Sequence, residues 1–105
     1  LGQGLKVIDI NSTKEEVLEA VKQNGYALAY ASDIVKLDKE VVLEAVKQNG
    51  FALQYASRAM KDDDDVVMAA LSQRWEAVEY ASNKIKYEII QNWLKSIIKN
   101  KEVIK

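Results

Sequence analysis

A chain that repeats itself at a short fixed interval must build its structure from one small unit used several times, and this one repeats every 25 residues. The stretch from Val17 to Gly25 recurs letter for letter from Val42 to Gly50, and residues 13–37 agree with residues 38–62 at 17 of 25 positions without a gap. Residues 63–87 form a weaker third copy that matches the second at 10 of 25 positions. A unit of this size cannot bury an apolar face alone, so the copies are expected to stack and share one core.

Apolar residues fall at helical spacing on both sides of a glycine, which divides each copy into two helical stretches. In the second copy Val42, Leu43, Ala45 and Val46 give the first stretch a wide apolar face, suited to a helix packed on two neighbours. In the second stretch Phe51 pairs with Tyr55, and Ala52 with Ala56, at the i, i+4 spacing of an α-helix, and the alanines permit close approach. Ser12 or Thr13 is placed to cap the first helix, with Glu15 three residues after Ser12; Asp38 and Asp63 recur at the position of Thr13. Gly25 and Gly50 suit a left-handed residue ending a helix, and Lys22 and Lys47 complement the dipole there.

The third copy carries Arg74-Trp75 in place of Asn-Gly. A bulky residue is unfavourable at positive φ, yet Tyr80-Ala81-Ser82 keeps the signature of the second stretch, so the turn is expected to survive. Beyond Tyr87 the period fades into an amphipathic segment with Ile90, Trp93, Leu94, Ile97 and Ile98 on one face. The expected fold is therefore all-α: a short α-solenoid of about three 25-residue hairpins, 13–37, 38–62 and 63–87, closed by a C-terminal capping helix within 88–105, in a single domain spanning 1–105. The first ten residues, with Leu5, Val7, Ile8 and Ile10, read either as the end of a preceding hairpin or as an extended lead-in.

The recurring string Lys39-Glu40-Val41-Val42-Leu43-Glu44-Ala45-Val46, then Gly50, then Ala52-Leu53-Gln54-Tyr55-Ala56-Ser57, resembles the tandem repeat known as the domain of unknown function numbered four-one-one-six. The resemblance covers about residues 13 to 87, is strongest in the first two copies, and weakens at Trp75. It implies a repeat used in multi-copy arrays within larger proteins of bacteria, protists and large viruses, without an assigned activity, and it carries over no catalytic residue.

Composition narrows the chemistry. With no His and no Cys, the usual zinc ligands, thiol nucleophile and imidazole base are missing. No pair of carboxylates is marked out for acid–base work, so neither catalysis nor a cofactor is expected. The Asp62–Asp65 run precedes Val66-Val67, where a helix begins, and lacks the alternation and glycine of a calcium loop; helix capping is the favoured role. No apolar run reaches the roughly 18 residues of a membrane span. A soluble protein is expected, cytoplasmic in preference, with secretion as an effector left open. The chain starts at Leu1-Gly2-Gln3-Gly4 without an initiator Met, which suggests a segment of a longer protein.

Charge is uneven: residues 1–82 sum to −5 and residues 83–105 to +4, with Lys84, Lys86, Lys95, Lys99, Lys101 and Lys105 in the tail. Lysines spread over an amphipathic helix mostly solubilise it, so nucleic acid is a disfavoured partner. Tyr30, Tyr55 and Tyr80 recur at one repeat position, with core packing favoured over an aromatic ladder. Trp75 and Trp93 stand outside the repeat; packing is favoured for both, with a partner contact as the other role. Glu19, Lys22 and Gln23, repeated as Glu44, Lys47 and Gln48, are spaced to decorate an exposed helix face, and in a stacked array they would form a row. Together with the two tryptophans they make the candidate partner surface. The expected role is a noncatalytic protein-interaction or spacer module, with an accessory domain that positions a catalytic domain elsewhere in a longer chain as the second reading; partner identity and oligomeric state stay open.

Overall fold

The structure, a computed structural model, describes residues 7–104, with side chains through Asn100. It is all-helical; no strand occurs among the described residues. Three ten-residue α-helices open the three copies at the same register: α1 (Lys14–Gln23), α2 (Lys39–Gln48) and, beyond the one-turn helix α3 (Arg58–Lys61), α4 (Asp64–Gln73). Each starts where a small oxygen-bearing side chain satisfies an otherwise free N–H. Thr13 accepts from Glu16 N–H while Glu16 accepts from Thr13 N–H, completing a capping box one residue later than Ser12 and Glu15 would have set it. Asp38 and Asp63 accept from Val41 and Val66 N–H in the same way.

The second stretch of each copy departs from expectation. Gly25–Tyr30, Gly50–Tyr55 and Trp75–Tyr80 are six-residue 3-10 helices, not α-helices. In that geometry residues three apart eclipse one another. Gly25, Leu28 and Ala31 are accordingly buried in the first copy and Gly50, Leu53 and Ala56 in the second, at a period of three, while Ala52 is buried together with Ala56 as the sequence predicts. Asn24 and Asn49 stand extended between the two helices of their copies, and each side chain accepts the N–H two residues on, from Tyr26 and Phe51. The Arg74 turn is retained, as the sequence predicts, at φ −149° and ψ 109°.

Neither glycine needs left-handed backbone. Gly25 and Gly50 both avoid positive φ; their requirement is space, since a Cβ on Gly25 would lie 2.5 Å from the Ala45 carbonyl oxygen and one on Gly50 2.5 Å from that of Ala70. The turn of each of the first two copies thus presses against the α-helix of the next.

Packing runs in sequence order. Helix α1 meets α2, α2 meets α4, and each of the first two 3-10 segments packs against the following α-helix and the following 3-10 segment. The shared core holds Val17, Val21, Leu28, Val41, Val42, Val46, Leu53, Val66 and Val67, all fully buried. Each such side chain contributes about 1.5–3 kcal/mol of burial, which is how segments too short to be helical alone are held in shape.

The connectors obey one rule that the sequence reading passed over. Ser32, Ser57 and Ser82 each accept from the N–H three residues on, and start the 3-10 turn Val35–Leu37, the helix α3 and the final helix α5 (Asn83–Ile104) respectively. The first two stop because Asp38 and Asp63 cap the next helix. The third copy has Glu88 at that position, a helix former with no capping role, and α5 runs on for 22 residues. It was expected to start near residue 88 and seal the end of the stack. It starts at Asn83, Ile85 is buried and Ile89 packs on the core, but Ile90, Trp93, Leu94 and Ile98 are exposed. The molecule measures 67 × 25 × 17 Å. At the other end the described lead-in has no helix or strand and one turn, in which Ser12 N–H reaches the Asp9 carbonyl at 3.0 Å; Leu5 lies outside the described residues.

Candidate functional site

The polar chemistry of this chain is concentrated where one copy meets the next. Lys14, in the first turn of α1, reaches the carboxylates of Asp38 at 3.1 Å and Glu40 at 2.9 Å; Lys39 repeats the contact on Asp63 at 3.1 Å and Asp65 at 2.8 Å. Glu40 and Asp38 hold the Lys14 ammonium above its usual range, and Asp65 and Asp63 do the same for Lys39. Partial burial pushes Asp38 and Asp63 upward, but it is outweighed: Lys14 and the Val41 N–H hold Asp38 low, and the Val66 N–H and Lys39 hold Asp63 low. These carboxylates are anions serving as caps and ion-pair partners. In the same run Asp62 accepts from the Ser82 hydroxyl, so it is directed away from Asp63 and Asp65, which share Lys39.

Further contacts fix the same joints. Gln48 Oε1 accepts from the N–H of the buried Gly25 at 2.9 Å. Tyr26 meets Tyr55 edge-on at a centroid distance of 6.0 Å, Phe51 meets Tyr80 in the same manner at 6.4 Å, and Arg74 lies over the Phe51 ring at 5.2 Å. Of the recurring tyrosines, Tyr55 and Tyr80 pack against the core and Tyr30 does not. Tyr55 and Tyr80 are half-buried lateral contacts between copies, and Tyr30, with no ring before it among the described residues, is 66% exposed. Donation from the Tyr80 hydroxyl to the Glu79 carboxylate, with partial desolvation, raises the phenol above its ordinary range.

The candidate partner residues do not form one surface. Gln48 is spent on the joint, while Lys22 and Lys47 are exposed at helix ends and make no ion pair with Glu19 or Glu44. Glu19 and Gln23 do come together, lining an open depression of about 690 Å³ with Val7, Ile8, Ala20 and Tyr30 on the face of the first copy that points away from the second. Trp75 lies at the opposite end and is 70% exposed; Trp93 lies on α5 and is 61% exposed, so the packing role favoured for both is not the one found. What the sequence reading missed was this depression. Its lining residues recur in the later copies as joint residues, but only the stacking direction reveals which copy leaves them uncovered.

Short α-helices alternating with 3-10 segments, joined by the same contacts at each period, define a helical protein of a repeated unit. Residues 13–61 and 38–86 each match the family model described as "Domain of unknown function (DUF4116)", one register apart, and the chain belongs to that family. No curated protein and no solved structure matches it. Among the described residues no helix is long and apolar enough to cross a membrane.

Proposed function

We propose that this protein is a noncatalytic interaction and spacing module, a short α-solenoid of three hairpins whose final helix docks on another protein. The observation that carries the reading is α5. Its Ile90, Trp93, Leu94 and Ile98 are 54%, 61%, 41% and 58% exposed, on one side of a helix that leaves the body after Ile89. A row of large apolar side chains in water marks a contact surface, and tryptophan is among the residues that dominate such contacts. Asp38, Glu40, Asp63 and Asp65 serve as caps and joint partners, which supports a role without acid–base chemistry. The elongated shape suits the second reading, an accessory domain that holds a catalytic domain at a distance within a longer chain.

Photo-crosslinking from α5 in the full chain, followed by mass spectrometry, tests the docking role. A defined set of proteins should crosslink to the parent, and Trp93→Asp with Leu94→Glu should lose that set while the far-ultraviolet spectrum is unchanged. The same background from both proteins would reject docking through α5.

A further inference from the structure

Helix α5 presents two different sides. Through Ile85, which is buried, and Ile89, which packs on the core, it belongs to the body. On another side Tyr87, Ile90, Leu94 and Ile97 stand at i, i+3, i+7 and i+10, the spacing that makes one apolar seam along a helix paired with another helix. Trp93 and Ile98 border that seam to left and right. Tyr87 is 65% exposed, Ile97 is half-buried, and the other four are open to water. At 1.5 Å per residue, the part of α5 from Ile90 to Ile104 extends about 22 Å beyond the body, far enough for a second helix to lie along it.

Charge decides which kind of surface fits. Between Ile90 and Asn100 the charged residues are Lys95 and Lys99, and both fall on the side of the helix away from the seam, whereas its borders hold Gln91, Trp93, Ile98 and Asn100. A helix that meets an acidic groove or an anionic lipid surface carries cations along the edges of its apolar face, where they reach the opposing charges. This stretch of α5 carries none there. The same neutral borders let two copies of the face meet without opposing like charges, which a self-complementary surface must do because both sides carry the same residues. Area agrees. Aromatic side chains offer about 150–250 Å² each, so the exposed row amounts to on the order of 500–600 Å² per copy. A symmetric pair would then bury on the order of 1,000–1,200 Å², the lower bound for a specific interface.

We propose that the occupant of the α5 face is the α5 of a second copy of this chain, joined as a symmetric helix pair through Ile90, Leu94 and Ile97 with Trp93 and Ile98 closing its edges. This rests on the reading of α5 as a docking surface and names what docks there. An isologous contact closes at two copies, so the product is a dimer with two repeat bodies held apart by the paired helices.

Sedimentation equilibrium of the full chain should show a twofold rise in mass between about 1 µM and about 500 µM, since an interface near the lower size bound dissociates in the micromolar range. In Trp75→Phe, which leaves Trp93 as the only tryptophan, emission should move to shorter wavelength over the same range. Leu94→Lys should hold the chain at monomer mass throughout and remove the shift. Lys95→Ala with Lys99→Ala should leave the dissociation constant within about threefold, as expected of exposed charges outside a contact. A chain that stays monomeric overturns the proposal; crosslinking from α5 then separates the two readings, since a defined set of other proteins keeps docking with a foreign occupant and background alone rejects docking as well. A dimer that survives Leu94→Lys overturns it too, and so does a monomer whose Trp93 emission shifts on phosphatidylserine vesicles but not with concentration.

Discussion

Asn49-Gly50 and Arg74-Trp75 make the same turn from opposite residues. The residue before each 3-10 segment is extended at nearly the same angles, φ −152° and ψ 112° at Asn49, φ −149° and ψ 109° at Arg74. The backbone therefore does not demand glycine. What differs is the neighbour: the Ala70 carbonyl of α4 sits where a Cβ of Gly50 would go, whereas Trp75 faces water. A glycine in a repeat can report the next unit, and its loss can report that the next unit is missing.

The sharpest way to break this comparison is Gly50→Ala. A methyl forced onto the Ala70 carbonyl should cost about 3 kcal/mol, the upper part of the range for overpacking, read as a lower urea midpoint. A neutral result would return glycine to its turn role and undo the argument. The ion-pair ladder belongs only to the joints, and Asp63→Asn measures it while keeping a competent cap. At pH 7 the variant should lose less than about 1 kcal/mol. Asp63 is held below its ordinary value, so its stabilisation is complete above the unfolded carboxylate value near 3.9 and is lost as pH falls through the lower folded value. Unfolding curves at pH 6 and pH 2.5 should then differ less for the variant than for the parent, and an equal loss in both would show that Lys39 contributes nothing through Asp63. The smallest effect belongs to Trp75→Ala, expected within about 0.5 kcal/mol as for other exposed sites. A drop comparable with that of Gly50→Ala would mean that Trp75 packs on something the exposed ring does not suggest.

Much of the site's chemistry was legible in single residues, and little of its geometry was. The acidic caps at Asp38 and Asp63 announced themselves because capping is settled within four residues. The role of Lys14 and Lys39 did not, since their partners lie 24 to 26 residues away in sequence. Glu19 and Gln23 belong to a row that the sequence predicts along the array, yet the row is broken because Gln48 is used internally while Gln23 lines the open depression. The packing expected for Trp75 and Trp93 failed because an amphipathic pattern says which side of a helix is apolar and not whether anything covers it.

The sequence by itself determined the unit, its 25-residue period, the helix starts at Thr13, Asp38 and Asp63 and the apolar residues that fill the core, all of which follow from spacing and local hydrogen bonding. Only the tertiary structure decided that the second stretch of each copy tightens into a 3-10 helix, that the glycines answer to a neighbour's carbonyl, and that α5 leaves the body. Those outcomes depend on distances between copies, which a pattern along the chain does not contain, because what a side chain requires there is set by the atoms that stacking brings against it.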